Sequence, residues 1–154
     1  VFTFCVALLS SSLSAKTNPT GLPLPRFASL RAAEVNLRTG PGTHYPTSWV
    51  VKRRSLPVKV IAEHGNWRKV QLHDETIGWV FQSMLTGNKT VLVKKEKIQL
   101  RTKPHKNSMI LAHLHQNVVG QLNQCKEDWC KARFDNYTGY IPQSALWGAE
   151  FEKK

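Results

Sequence analysis

The chain has 154 residues, of which 41% are hydrophobic, enough for globular structure and too many for wholesale disorder. Its 22 Lys and Arg against 10 Asp and Glu give a formal net charge of +12, which points to anionic partners. Length alone allows one domain or two small ones.

Residues 2–9, Phe-Thr-Phe-Cys-Val-Ala-Leu-Leu, form an apolar run followed by small and hydroxylated residues up to Ala15. The run is too short to cross a bilayer and reads as a secretory signal peptide over residues 1–15. No Lys or Arg precedes it and the chain opens on Val1, so its basic start is expected to lie outside this sequence. Residues 16–27 contain Pro19, Pro23 and Pro25 and are expected to form an extended, poorly ordered leader.

Beyond the leader the chain is written twice. Trp67-Arg68-Lys69-Val70 returns as Trp129-Cys130-Lys131-Ala132, and Gly78 and Leu85 return 61 residues later as Gly139 and Leu146. Val35-Asn36-Leu37-Arg38-Thr39 returns as Ile98-Gln99-Leu100-Arg101-Thr102, and Pro57–Ile61 aligns with Val118–Leu122. This is one module built twice, with length changes confined to loops and one extra residue expected in the turn before Trp129. The copies are read as residues 28–88 and 89–148, with 149–154 as a charged tail. Modules of about 60 residues have thin cores.

Within each copy the runs are short, rich in branched and aromatic residues, and separated by turn pairs such as Gly65-Asn66. Lys69-Val70-Gln71-Leu72 alternates polar and apolar residues as a half-buried strand does. No stretch has sustained helical periodicity, and Ser83-Met84-Leu85 and Ser144-Ala145-Leu146 predict single 3₁₀ turns. The expectation is all-β: two tandem small barrels of about five strands each.

The Leu37-Arg38-Thr39-Gly40-Pro41-Gly42 loop, Trp67, Gly78-Trp79-Val80 and Ser-x-Leu ending resemble the SH3 fold, specifically the bacterial SH3-like family. The resemblance covers residues 28–148. The second copy is also similar to the end of eukaryotic SH3 domains, where a Trp strand precedes Gly-Tyr-Ile-Pro. Tandem copies with Cys-x₄-Cys and a closing Ala145-Leu146-Trp147-Gly148 resemble small exported proteins of Gram-negative bacteria, particularly alphaproteobacteria. The resemblance implies a periplasmic or envelope location and a fold more strongly than a function.

Cys5 leaves with the signal peptide, and Cys125 and Cys130 are then an even pair suited to a disulfide in an oxidising compartment. Their spacing is not that of a redox C-x₂-C, and no second pair completes a zinc site. Free thiols are the remaining alternative. With both cysteines so committed, no nucleophile and base are in view, and acidic residues such as Glu63 and Asp74 occupy turn-like positions. No catalytic residue, cofactor or metal is expected. His113 and His115 fall on one strand face without further ligands.

An SH3-type groove would place Tyr45, Trp67 and Met84 together in the first copy, and Trp129, Tyr137 and Pro142 in the second. Trp79 and Tyr140 read as core caps. The first copy, with its Gly-Pro-Gly loop, is the expected binder. Eukaryotic recognition of Pro-rich helices is not implied, because the acidic Tyr-rich loop is absent and Met84 and Ala145 stand where the 3₁₀ Tyr belongs. Basic clusters occur at Lys52-Arg53-Arg54, expected at a hairpin tip, at Lys94-Lys95 with Lys97, and at Lys103 with Lys106. The leading expectation is a non-enzymatic exported protein that binds peptidoglycan or its peptide stems. The alternatives are an envelope adaptor for another protein, and charge-driven binding of a polyanion such as envelope lipid, lipopolysaccharide or, in a cytosolic protein, nucleic acid.

Overall fold

The computed structural model describes residues 18–150; the expected signal peptide, with Cys5, and the last four residues lie outside them. The first sheet runs β1 (Arg26–Leu30), β2 (Val35–Arg38), β3 (Thr47–Val51), β4 (Pro57–His64), β5 (Trp67–Gln71), β6 (Ile77–Phe81), a 3₁₀ turn (Gln82–Met84) and β7 (Leu85–Thr86). The second repeats this with β8 (Thr90–Val93), β9 (Lys97–Arg101), β10 (Ile110–His115), β11 (Val119–Lys126), β12 (Trp129–Phe134), β13 (Tyr137–Pro142), a 3₁₀ turn (Gln143–Ala145) and β14 (Leu146–Trp147). Strand orders are β3-β2-β6-β5-β4-β1-β7 and β10-β9-β13-β12-β11-β8-β14. Both sheets are all-antiparallel with the same topology, each having seven strand segments rather than five.

Each sheet curls because its longest strand bends. β4 pairs with β1 through Pro57–Val60 and with β5 through Lys59–His64, and its register slips between Val60 and Ala62. β11 slips likewise between Leu122 and Gln124. A bulge bends its strand and increases the local twist, letting one strand serve both halves of a small barrel. Alternation then sends Val58, Val60, Val70 and Val80 into one core and Leu122, Ala132 and Ile141 into the other, all nearly or wholly buried.

The register corrects the alignment of the copies. Ser29 pairs with Pro57 and Leu92 with Val119, so Val119, not Val118, replaces Pro57. The turns before the two Trp strands are equally long, closed by His64 opposite Trp67 and by Lys126 opposite Trp129. Gly120 thus replaces Val58, and a Cβ there would meet the Phe134 ring at 2.5 Å. The large ring and missing side chain of the second copy trade volume where the first has Leu72 and Val58.

The leader is not loose where the structure describes it. Leu24 packs on the first core, and the last leader residues, Arg26 and Phe27, already belong to β1. Thr20 donates from its hydroxyl to Glu63 at 2.7 Å and from its amide at 3.1 Å. Glu63, expected at a turn-like position, lies in β4 with a fully buried side chain, paired with Arg26 at 2.5 Å and Arg68 at 3.5 Å. Burial pushes its carboxyl up, but the Thr20 hydroxyl and amide and the Arg26 guanidinium outweigh it, so the group titrates below its ordinary value.

The copies share a packed junction. Leu92 belongs by sequence to the second sheet, yet its wholly buried side chain joins the first core, with Val119 and Trp147 packed beside it. Thr90 Oγ1 donates to the Ser55 carbonyl at 2.7 Å, and Trp147 Nε1 to the Pro57 carbonyl at 3.2 Å. The Trp147 ring meets Phe27 edge-on at 5.2 Å and holds Lys59 Nζ 4.5 Å from its centroid. Gly148 closes the contact at φ 105°, where a Cβ would lie 2.5 Å from the Thr90 carbonyl.

Candidate binding clefts

Trp129 opens β12 directly opposite Pro142, beside a hairpin turn held in place by the Gln143 amide, which donates to the Asp128 carbonyl at 2.9 Å. Directly behind, Cys125 and Cys130 face each other across the hairpin and form a disulfide. The opposing wall is the loop between β9 and β10. Arg101 shapes it by donating to the Ser108 carbonyl at 2.7 Å, while Ser108 Oγ bonds the Lys103 and His105 carbonyls.

Between wall and turn lies a cleft of about 1100 Å³ floored by Ile98, Trp129 and Pro142. Lys94, Arg101 and Lys106 line it together with Glu127, Asp128 and Glu150. Among the described residues these cations form no ion pair with these carboxylates. Trp129 also lines a smaller cavity with Pro104, Lys131 and Tyr140, so its ring separates two hollows.

The first copy builds the same place from equivalent residues and fills it. Gln82 N again bonds the turn, at the Asn66 carbonyl, and Arg38 again holds the opposing loop through the Thr43 and Tyr45 carbonyls. Phe81 stands where Pro142 does and meets Trp67 edge-on at 5.5 Å, while Met84 replaces Ala145. The remaining hollow is about 250 Å³.

Trp67 and Met84 therefore share one cleft, and Trp129 and Pro142 the other. Tyr45 does not line the first: its ring lies on Gly40 and against His44. Tyr137 sits opposite Phe134, at the far end of the hairpin from Trp129, and stays outside the second. Trp79 and Tyr140 are half-buried and belong to neither core. The larger cleft is in the second copy, contrary to the expected preference for the first. Lys52-Arg53-Arg54 is not a hairpin tip, since β3 and β4 do not pair. Sequence reading named Lys94 and Lys106 as parts of basic clusters but placed neither them nor Arg101, Glu127, Asp128 and Glu150 in the second cleft, although the Trp129 echo of Trp67 already fixed where its turn must stand.

His113 and His115 are exposed on β10. Among the described residues no three His, Cys, Asp or Glu side chains group as a metal site would.

A family model described as bacterial SH3 domain matches residues 31–87 and again residues 94–148. The chain belongs to that family. Both matches begin just after β1 and β8, so Phe27, Thr90 and Leu92 of the junction lie outside them while Pro57, Val119 and Trp147 lie inside. No curated protein matches the chain. Among solved structures it is similar to NlpC2 from Trichomonas vaginalis, 14% identical with a TM-score of 0.37, over 80% of this chain and 48% of that one. It is also similar to NlpC1 from the same organism, 15% identical with a TM-score of 0.35, over 93% and 50%. The chain thus spans about half the length of both.

Proposed function

We propose that this tandem bacterial SH3 protein is an exported, non-enzymatic binding protein that recognises the peptide stems of peptidoglycan through its second cleft. The observation that carries the reading is that cleft's composition: the Trp129 ring beside charges of both signs that form no ion pair with one another among the described residues. A flat ring gives contact area at low entropy cost, and a short peptide bearing both ammonium and carboxylate groups complements both sets of charges. Membership in a family of bacterial modules and the Cys125–Cys130 disulfide support a wall ligand and an oxidising compartment.

The test is co-sedimentation of the purified chain with isolated peptidoglycan sacculi across a salt series. Binding should persist above physiological salt and fall roughly 30-fold in Trp129→Ala, as expected of a central aromatic worth about 2 kcal/mol. Trp67→Ala should change it little. Pelleting only at low salt, or unaffected by Trp129→Ala, would overturn the reading and direct the search to a protein partner.

A further inference from the structure

Folding joins two basic segments that the sequence keeps far apart. Lys52-Arg53-Arg54 follows β3, and the Arg53 guanidinium donates to the carbonyl of Asn117 in the turn between β10 and β11. That turn is stitched on its other side to the segment after β8. Asn117 N donates to the Val93 carbonyl at 2.8 Å, Gln116 N to the Glu96 carbonyl at 3.1 Å, and Gln116 Nε2 to the Lys94 carbonyl at 3.1 Å. Lys52, Arg53, Arg54, Lys94, Lys95 and Lys97 therefore flank one turn, and all six are exposed. The acidic residues beside them are Glu96 and Glu34, and Glu34 reaches Lys52 only at 3.9 Å between well-exposed side chains. Such a pair compensates little. Folding thus gathers like charges around one turn, and among the described residues only Lys52 of the six pairs with a carboxylate.

Immediately before Lys52, edge strand β3 exposes Trp49 to 61% and Val50 to 46%. An exposed Trp next to a polybasic segment suits the headgroup layer, where an amphipathic ring sits at the interface and cations meet phosphate. Five of the six cations stand between strands and Lys97 opens β9, and of the six Lys94 lines the second cleft. The grooves of this chain carry Glu34 in one copy and Glu127 and Asp128 in the other, which repel a polyphosphate strand laid in them. No helix of the described residues is long and apolar enough to cross a membrane.

We propose that this junction face, residues 52–54 and 94–97 with Trp49 beside them, docks on an anionic phospholipid surface. Lys94 also lines the second cleft, so a docked molecule holds that cleft next to the lipid.

The experiment is flotation of the full chain with vesicles of phosphatidylcholine, with and without about 30 mol% phosphatidylglycerol, across a salt series. Vesicles of phosphatidylcholine alone report any contribution from the apolar residues 2–9. Binding should require the anionic lipid and weaken with salt. At about five-fold per cation, Arg53→Gln/Arg54→Gln should lower partitioning about 25-fold. Lys103→Gln/Arg133→Gln, which removes the same net charge elsewhere, should lower it less than about three-fold. Trp49→Ser should weaken binding without changing its salt dependence. Arg54→Gln/Lys95→Gln, whose side chains bond no other group among the described residues, serves if Arg53 proves to hold the junction. Equal binding to uncharged vesicles, equal losses in the two double variants, or displacement from vesicles by duplex DNA at equal phosphate would each overturn the proposal.

Discussion

Leu92→Ala is the sharpest test of the shared junction. The side chain is wholly buried among first-copy residues although β8 belongs to the second sheet. The substitution removes three carbons at roughly 0.8 kcal/mol each, and the cavity left behind brings comparable Leu→Ala losses to about 2.7–5 kcal/mol. Leu92 is gripped from both copies, so the site collapses poorly and we expect about 3–4 kcal/mol. Because this residue ties both sheets together, the wild-type chain should unfold in one cooperative step and the variant should lower that single midpoint. Urea unfolding followed by Trp fluorescence, paired with calorimetry, measures this. Two separated transitions in the wild type, or a loss below about 1 kcal/mol in the variant, would refute the shared core.

Gly120→Ala should cost about 1–3 kcal/mol by driving a Cβ into the Phe134 ring, and Phe134→Leu added to it should recover part of that loss, measured by urea midpoints. Removing the Cys125–Cys130 bridge as Cys125→Ser/Cys130→Ser reopens a short loop and should cost about 2 kcal/mol of stability, read in the same assay. Glu63 should make stability depend on acid. Its folded carboxyl titrates below the ordinary 4.5, so the unfolded chain binds more protons between the two values. That stabilisation is complete above the unfolded value and lost as pH falls through the folded one. Glu63→Gln should flatten the slope of urea midpoints between about pH 5 and pH 3.

The repeat and the barrel were legible because the residues that specify them are local. Trp67 and Trp129 each follow a two-residue turn, and Gly78 and Gly139 each lie against the preceding Leu-Arg-Thr strand, where a Cβ would strike Leu37 or the Arg101 carbonyl. Such contacts recur in each copy and leave a repeated trace. The junction left none, because Leu92, Thr90 and Trp147 act on the copy to which they do not belong. Comparing one copy with the other cannot reveal a contact made only between them. The Glu63 cluster was hidden for a related reason: its partner Thr20 lies in a segment whose prolines predicted only an extended leader.

The clefts show how divergence between copies reshapes one inherited place. Both inherit a Trp, a turn pinned by a Gln amide and an Arg-braced loop, which is the part legible in sequence. What decides whether the place is open is the pair opposite: Phe81 with Met84 in one copy, Pro142 with Ala145 in the other. Each replacement loses side-chain volume, and the hollow grows from about 250 to about 1100 Å³. Tyr45 and Tyr137 looked like groove residues because aromatic loop residues often are, but Tyr45 is spent covering Gly40 and Tyr137 sits at the wrong end of its hairpin. The first copy then supports the junction through its core, while the second carries the open cleft. Under the proposed reading that division gives the disulfide a purpose: it braces the hairpin bearing Trp129, and a binding wall on a thin barrel needs its turn held still.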